Sequence, residues 1–223
     1  MPIDNWLDSL PQQGHACVDG DLEALAAPAR PFMNAQSTSN QIEKLSGHLG
    51  GLKEPVRRLV IGYSLYIRQL DTMLESGPRS LCASGCPRPP AGCCNRDHFI
   101  TLSTLDIMSA QRSPLALHMA HVIGTLQQSE CTHSLAQGRV RKPGYCSCLA
   151  EDGCTMRLFK SPRCAHYLCE GVEQAVQAQH QGRATDFLAA MHYTVSSRIF
   201  TPGDFTNPEV IATGAALFWP QQA

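Results

Sequence analysis

The sequence predicts a mainly α fold, in which a helical scaffold surrounds an irregular cysteine-rich region with a short β-hairpin. Three observations lead to this prediction. Apolar residues recur at helical spacing on both sides of residues 82–169. Ten of the 11 cysteines fall within that stretch, which begins on chain rich in Gly and Pro. Inside it, Glu151-Asp152-Gly153 has the residue types of a tight hairpin turn.

Length and composition are compatible with one domain. The chain has 223 residues, of which 43% are hydrophobic, and this is enough to bury a substantial core. We therefore treat residues 1–223 as a single domain. We divide it into an irregular or short-helical segment at 1–52, a cysteine-cluster region at 82–169 and C-terminal helices at 170–223.

The clearest helical pattern runs from residue 53 to residue 75. Pro55 suits the first turn, and Ser76-Gly77-Pro78 ends the helix just before the first cysteines. Its apolar stripe consists of Val56, Leu59, Val60, Tyr63, Ile67, Leu70 and Leu74. The later elements are a short strand at 97–102, helices at 104–111 and 114–128, a polar and basic connection at 129–144, a helical stretch at 170–200 broken near Gly182, and a last helix at 208–218.

The sequence has no pattern of a secreted or membrane-spanning chain. Its N-terminus has no basic start followed by an apolar stretch, and no apolar run approaches the roughly 18 residues that a membrane span needs. We therefore expect a cytoplasmic protein without a membrane partner. Reducing conditions there keep thiols from pairing, so clustered cysteines indicate metal or redox chemistry rather than disulfides.

The charge distribution argues against a general nucleic-acid partner. Net charge is −1, although residues 79–163 contain ten basic and five acidic residues. Thiolates bound to a metal would balance this local excess, because four of them around Zn²⁺ leave a net charge of −2. A patch for phosphate or nucleic acid is the rival interpretation, and Arg139-Val140-Arg141-Lys142 leaves open a contact with an acidic protein partner.

The cysteines form two groups whose spacing indicates metal ligation. The first reads Cys-x3-Cys-x6-Cys-Cys and the second Cys-x-Cys-x5-Cys-x9-Cys-x4-Cys. Irregular chain can direct several sulfurs towards one point, whereas packing alone would scatter small side chains through the core. Cys17, Cys131 and Cys148, taken singly, suit buried packing equally well.

Two stretches also share their order of residues with a known family. In the first, the double cysteine Cys93-Cys94 is followed by residues 97–107, which read DHFITLSTLDI. In the second, Cys146-Ser147-Cys148-Leu149 is followed by a turn, by Cys154, by Pro162 and by Cys164-x4-Cys169. Together they resemble the zinc- or iron-chelating cysteine-cluster family of the CxxCxxCC type, over about two-fifths of the chain.

The resemblance implies a ligand set of eight cysteines. Two departures from the family pattern concern this set: the spacings before the double cysteine are longer than the family's, which bears most on Cys82, and Cys148 stands where the family has an aromatic residue. The implied ligands are Cys82, Cys86, Cys93, Cys94, Cys146, Cys154, Cys164 and Cys169.

The chemistry leaves the metal and its use open. Thiolates select Zn²⁺, Cu⁺ or iron-sulfur clusters, and eight of them suit two four-cysteine sites, one multinuclear cluster, or one cluster with spare thiols. His98 and His166 lie beside ligands, where we favour structural or hydrogen-bonding roles. We expect a metal-binding protein that holds zinc or iron, the latter alone or as an iron-sulfur cluster, for structural, metal-handling or redox-sensing use.

Two alternatives remain. The first is a cluster-dependent enzyme, since a flagellin lysine methylase that uses S-adenosylmethionine resembles the same family, although this chain has no Gly-rich fingerprint for that cofactor. The second is an adaptor whose metal site is purely structural. Whether the chain is an enzyme is left undecided by the sequence.

Overall fold

The structure is a computed structural model that describes Leu7, residues 33–79, Leu81, Cys94, and residues 112–136, 145–150 and 153–219. This part of the chain is mainly helical, which confirms the predicted fold class at that level. The predicted strand at 97–102 and helix at 104–111 lie outside the described residues, as does most of the first cysteine group.

The first two helices are α1, Ala35–His48, and α2, Glu54–Glu75. Asn34 begins α1, because its side-chain oxygen accepts a hydrogen bond from the backbone N–H of Ser37 at 2.8 Å. Pro55 lies in the first turn of α2, and Ser76 ends that helix. The predicted helix at 53–75 is therefore confirmed.

Helix α3 spans Pro114–Ala136 and is longer than predicted. The sequence analysis predicted that this helix ends at residue 128 and that a polar connection begins at residue 129. Both boundaries are wrong, because the helix continues to Ala136. Glu130 and Cys131 are each only 2% exposed. They continue the buried stripe of α3 at helical spacing, and the Glu130 carboxylate has backbone partners that satisfy it in the interior.

Two very short strands follow, β1 at Leu149–Ala150 and β2 at Gly153–Cys154. They pair antiparallel, with Leu149 opposite Cys154. Residues 151 and 152 of the predicted turn lie outside the described part of the chain, so the hairpin stays a prediction.

The C-terminal third is a series of helices: α4, Pro162–His166; α5, Glu170–Gln179; α6, Thr185–Ser196; a 3₁₀ helix, Pro202–Phe205; and α7, Pro208–Phe218. The break predicted near Gly182 is confirmed, since Gly182 has a φ of 85°, which glycine adopts readily. The predicted last helix at 208–218 is also confirmed. Asn207 begins it by accepting the N–H of Glu209 at 3.0 Å.

Helix α2 lies at the centre of the core. It packs against α1, α3, α4 and α7, while α6 packs against α4 and α7. Helices α1, α2 and α3, the segment before α4 and the C-terminal third all contribute large, fully buried side chains. They include Ile42, Leu45, Tyr63, Ile67, Leu70, Met73, Met119, Phe159, Phe187 and Phe205. Among the described residues no helix is long and apolar enough to cross a membrane.

The closeness of α7 to α2 gives a first prediction. A Cβ atom added at Gly214 would overlap Met73 Sδ and would lie 3.2 Å from Phe187 Cε2. Both neighbours are buried in the core. We expect Gly214→Ala to lower the free energy of unfolding by about 1–3 kcal/mol, as overpacking does. Urea unfolding followed by circular dichroism measures this change.

Gly124→Ala is the matched control. Gly124 lies inside α3, and an added Cβ there meets nothing within 4 Å. We expect this substitution to stabilise the protein by about 0.5–1 kcal/mol, because alanine loses less backbone entropy in a helix. Equal effects at the two glycines would contradict the close approach of α7 to α2.

Candidate metal centre

The structure describes five of the eight predicted ligands. They are Cys94, Cys146, Cys154, Cys164 and Cys169, all present as thiols. Cys82, Cys86 and Cys93 lie outside the described residues, as does His98.

A backbone hydrogen bond joins the two cysteine groups. The N–H of Cys146 donates to the carbonyl oxygen of Cys94 at 3.1 Å. The residue that ends the first group therefore lies directly beside the residue that begins the second. Cys94 is exposed and Cys146 is half-buried. This contact brings Cys94 of the first group beside the start of the second group.

The chain turns at Cys146 and then doubles back at the short strands. The N–H of Leu149 donates to the Cys146 carbonyl at 3.0 Å, and the N–H of Cys148 donates to the Cys146 sulfur at 3.4 Å. On the returning strand, Thr155 donates to the Cys148 carbonyl through its N–H at 2.9 Å. Backbone N–H groups directed at sulfur are typical of metal-thiolate sites, where they stabilise the negative charge.

A compact group of sulfur-containing side chains occupies this turn. Cys131, Cys148 and Met156 are buried together, and Cys146 and Cys154 pack against them. The Cys131 and Cys148 sulfurs lie 2.9 Å apart. The sequence left these two cysteines undecided between packing and ligation, and the structure shows that they contact one another.

The electrostatics of Cys146 differ from those of its neighbours. The Cys148 side chain lowers the pKa of the Cys146 thiol to about 7, although burial opposes this lowering; the Cys148 backbone N–H adds to it. The surroundings of Cys146 therefore favour its thiolate form.

Cys154 and Cys164 are held in a less favourable environment for charge. Burial raises the pKa of Cys164 to about 12, while its hydrogen bond with Ser161 lowers it and the nearby Cys154 and Cys146 raise it. Burial also raises the pKa of Cys154, against the positive charge of Lys160. Cys146 and Cys154 pack against the same buried group, and Cys164 interacts electrostatically with both of them. A bound metal cation would supply the positive charge that favours their thiolates.

Cys169 has a different environment. Its half-buried side chain packs against the large hydrophobic core, and its carbonyl accepts the N–H of Val172 at 2.9 Å at the start of α5. Within the described residues, moreover, no group of three or more Cys, His, Asp or Glu side chains is arranged to hold a metal ion. Cys146 and Cys154 pack against the same buried group, but the described side chains alone do not form a coordination sphere.

A buried ionic cluster lies next to these cysteines. Asp71 of α2 is 3% exposed and is contacted by Lys160 at 2.6 Å, by Arg157 at 3.3 Å and by Arg79. Burial alone would raise the pKa of Asp71, but the charges of Lys160 and Arg79 and their hydrogen bonds hold it well below its usual range. Arg79 also interacts electrostatically with Cys154. The cluster brings positive charge to the edge of the cysteine group.

Glu130 anchors the same segment from α3. Its carboxylate accepts the backbone N–H groups of Arg157 at 2.5 Å, Leu158 at 3.1 Å and Phe159 at 3.2 Å. Burial raises the pKa of Glu130 to about 7, although these three hydrogen bonds and the charge of Lys160 lower it. Three consecutive amides directed at one acceptor make the conformation of residues 157–159 dependent on this side chain.

His166 is fully engaged within the protein. Its Nδ1 lies 2.5 Å from the carbonyl oxygen of Pro162, and its Nε2 lies 2.5 Å from the hydroxyl of Tyr66. A carbonyl only accepts, so Nδ1 carries the proton and Nε2 accepts from Tyr66. Burial lowers the pKa of His166 to about 4, against the Pro162 hydrogen bond. His166 therefore fastens α4 to α2, which agrees with the structural role favoured by the sequence.

Two residues that shape this region were missed by the sequence analysis: Glu130 and Asp71. Extending the apolar stripe of α3 by one more turn would have reached Glu130, because buried positions recur there every three or four residues. Asp71 gave no comparable signal. Its three cationic partners come from two other segments of the chain.

The raised pKa of Glu130 predicts a pH-dependent stability. A folded-state pKa of about 7 against an ordinary value of 4.5 means that the folded protein holds this proton more tightly than the unfolded chain. The stabilisation is present below pH 4.5 and is lost as the pH rises towards 7. The free energy of unfolding of the wild type, relative to that of Glu130→Gln, should therefore fall by about 3 kcal/mol between pH 4.5 and pH 7. Urea unfolding at several pH values in this interval measures the difference.

Glu43→Gln is the control substitution. It replaces an exposed carboxylate on α1 and should change the free energy of unfolding by no more than about 0.5 kcal/mol. A difference between the wild type and Glu130→Gln that does not change with pH would contradict the burial of Glu130 against residues 157–159.

The ionic cluster gives a third prediction. Asp71→Asn removes the negative charge that Lys160, Arg157 and Arg79 surround, so we expect a loss of about 3–5 kcal/mol in the free energy of unfolding. Glu75→Gln is the matched control, because Glu75 contacts Arg79 and Arg157 from an exposed position. It should cost less than about 1 kcal/mol. Similar losses in both variants would show that the burial of Asp71 contributes little.

Comparison of the chain with protein-family models, with curated proteins and with solved structures gave no match. The resemblance to the cysteine-cluster family therefore rests on the residues quoted above.

Proposed function

We propose that this chain is a metal-binding protein whose cysteine thiolates hold zinc or iron, the iron either alone or as an iron-sulfur cluster. The observation that supports the proposal is a set of contacts among cysteines from separate stretches of the chain. Cys94 is joined to Cys146 by a backbone hydrogen bond, Cys146 and Cys154 pack against one buried group, and Cys164 interacts electrostatically with both of these cysteines. The remaining proposed ligands, from the resemblance, are Cys82, Cys86, Cys93 and Cys169.

The donor set supports a soft-metal site. In the described part of the chain, the buried carboxylates nearest the cysteines, Asp71 and Glu130, are occupied by cationic side chains and backbone amides. Both ring nitrogens of His166 have protein partners. The groups left to bind a metal here are thiols, and thiolates favour zinc, copper(I) and iron-sulfur clusters over harder cations.

The neighbouring charges also support thiolate binding. Lys160 and Arg79 interact electrostatically with Cys154 while they remain bound to Asp71. Cationic groups fixed beside sulfur ligands lower the cost of gathering several negative thiolates. The Cys148 N–H directed at the Cys146 sulfur acts in the same direction.

The metal would have a structural, metal-handling or redox-sensing role. Bound at the cysteine group, it would fasten the short strands to the helical scaffold. We place the protein in the cytoplasm, where reducing conditions keep the thiols available. The enzyme and adaptor alternatives stay predictions, and calorimetry of the metal-loaded protein with S-adenosylmethionine tests the first of them.

Substitution of single cysteines tests the ligand set. We expect the anaerobically purified wild type to contain zinc or iron in stoichiometric amount, and Cys154→Ser and Cys164→Ser to lose most of it, because a hydroxyl replaces a thiolate donor. Elemental analysis measures the metal. Circular dichroism should show that the helices remain, since the core around α2 does not include these cysteines.

Cys17→Ser is the matched control, because Cys17 lies outside both cysteine groups in the sequence. It should retain the full metal content. A wild type without metal, or equal metal in all of these variants, would contradict the proposal. Visible absorption separates the two metals: broad sulfur-to-iron bands indicate an iron-sulfur cluster, while a colourless zinc-containing protein indicates a zinc site.

A further inference from the structure

Cys131 and Cys148 form a pair that the eight-cysteine ligand set does not include. Cys131 comes from the last turns of α3, and Cys148 lies in the turn before β1. Their exposed fractions are 2% and 4%. Their sulfur atoms lie 2.9 Å apart. Carbon atoms in simple packing contact stay roughly 3.5–4.0 Å apart and sulfur is larger than carbon, so these sulfurs are closer than simple packing accounts for.

Each member of the pair is held by its own element. Cys131 follows Glu130, whose carboxylate binds the amides of residues 157–159, so this turn of α3 is fixed in place. The Cys148 carbonyl accepts two hydrogen bonds from Thr155, from its N–H at 2.9 Å and from its hydroxyl at 3.1 Å. The two sulfurs therefore face one another across a fixed interface, and a small approach would bring them to the bonding distance of about 2.05 Å.

The pair is better placed for a covalent bond than for a shared metal ion. Two thiolates bound to one zinc ion each lie about 2.3 Å from it, and tetrahedral geometry then separates the sulfurs well beyond the observed contact. Met156, which is buried with the pair, is a thioether that cannot form a disulfide, and the thiols of Cys146 and Cys154 pack against the pair from partly buried positions.

We propose that Cys131 and Cys148 form a reversible disulfide when the protein meets a peroxide, and that this bond fastens α3 to the turn that carries Cys146. One thiol is first oxidised by hydrogen peroxide to a sulfenic acid, with release of one water molecule. The second thiol then attacks the sulfenic sulfur, the S–S bond forms and a second water leaves. A small dithiol such as dithiothreitol restores both thiols and is itself oxidised to its cyclic disulfide.

The bond would act directly on the candidate metal centre. Cys146 lies two residues before Cys148, and its sulfur accepts the Cys148 N–H. Fixing Cys148 to α3 restricts this turn. The proposal goes beyond the metal-binding function and does not depend on it, because neither member of the pair belongs to the proposed ligand set.

Peptide mapping tests the bond directly. The full-length protein, as purified, is treated with hydrogen peroxide, its remaining thiols are alkylated, and it is digested with trypsin without reduction. Cys131 is the single cysteine of the tryptic peptide 113–139, whereas Cys146, Cys148 and Cys154 share the peptide 142–157. We expect these two peptides to appear joined and two hydrogen atoms lighter than their sum. Dithiothreitol should separate them.

Cysteine variants assign the bond within the second peptide. The joined species should persist in Cys146→Ser and Cys154→Ser and disappear in Cys131→Ser and Cys148→Ser, while fragmentation of the wild-type species assigns the bond without any variant. Peptides that stay separate while other thiols oxidise, or a bond that survives in Cys148→Ser, would overturn the proposal.

The metal content of the double variant Cys131→Ser/Cys148→Ser separates this proposal from the metal-binding function. Unchanged metal, together with loss of the joined peptides, is the expected result. Loss of the metal in this variant would make the pair ligands and would overturn the disulfide proposal while supporting the metal-binding function. A wild type that forms the bond but contains no metal would overturn the metal-binding function alone.

Discussion

Two buried carboxylates hold the segment that joins Cys154 to Cys164. Asp71 from α2 binds the side chains of Arg157 and Lys160, and Glu130 from α3 accepts the backbone N–H groups of residues 157–159. Backbone amides of irregular chain in the interior need hydrogen-bond acceptors. Here the Glu130 carboxylate is the acceptor for three of these amides. The conformation of this segment therefore depends on two helices that are distant from it in sequence.

The cysteine group takes its position from this anchor. Cys154 lies just before the segment and Cys164 lies just after it, on α4, which Ser161 begins by accepting the Cys164 N–H at 3.2 Å. Tyr63 donates to the Lys160 carbonyl and Tyr66 donates to His166, so α2 contacts the same stretch along its length. The large hydrophobic core supplies the scaffold, while hydrogen bonds and ion pairs orient the sulfurs on its edge.

The sequence predicted the elements whose signals are local. Pro55 and Ser76-Gly77-Pro78 bound α2, and Asn207-Pro208 begins α7, because caps and helix breakers act within a few residues. It failed at the end of α3, where Glu130 looked like part of a polar connection. The partners that make its burial favourable lie 27 to 29 residues further along the chain. The contact between Cys131 and Cys148 likewise depends on how α3 meets the strands, which spacing alone does not reveal.

Native-state hydrogen exchange of the metal-free protein tests the anchor most directly. The account predicts that the amides of Leu158 and Phe159 exchange within roughly tenfold of the slow amides in the middle of α2, because both sets open only with the core. Exchange at these two amides as fast as in the first, exposed turn of α1 would contradict the claim that Glu130 holds this segment in place.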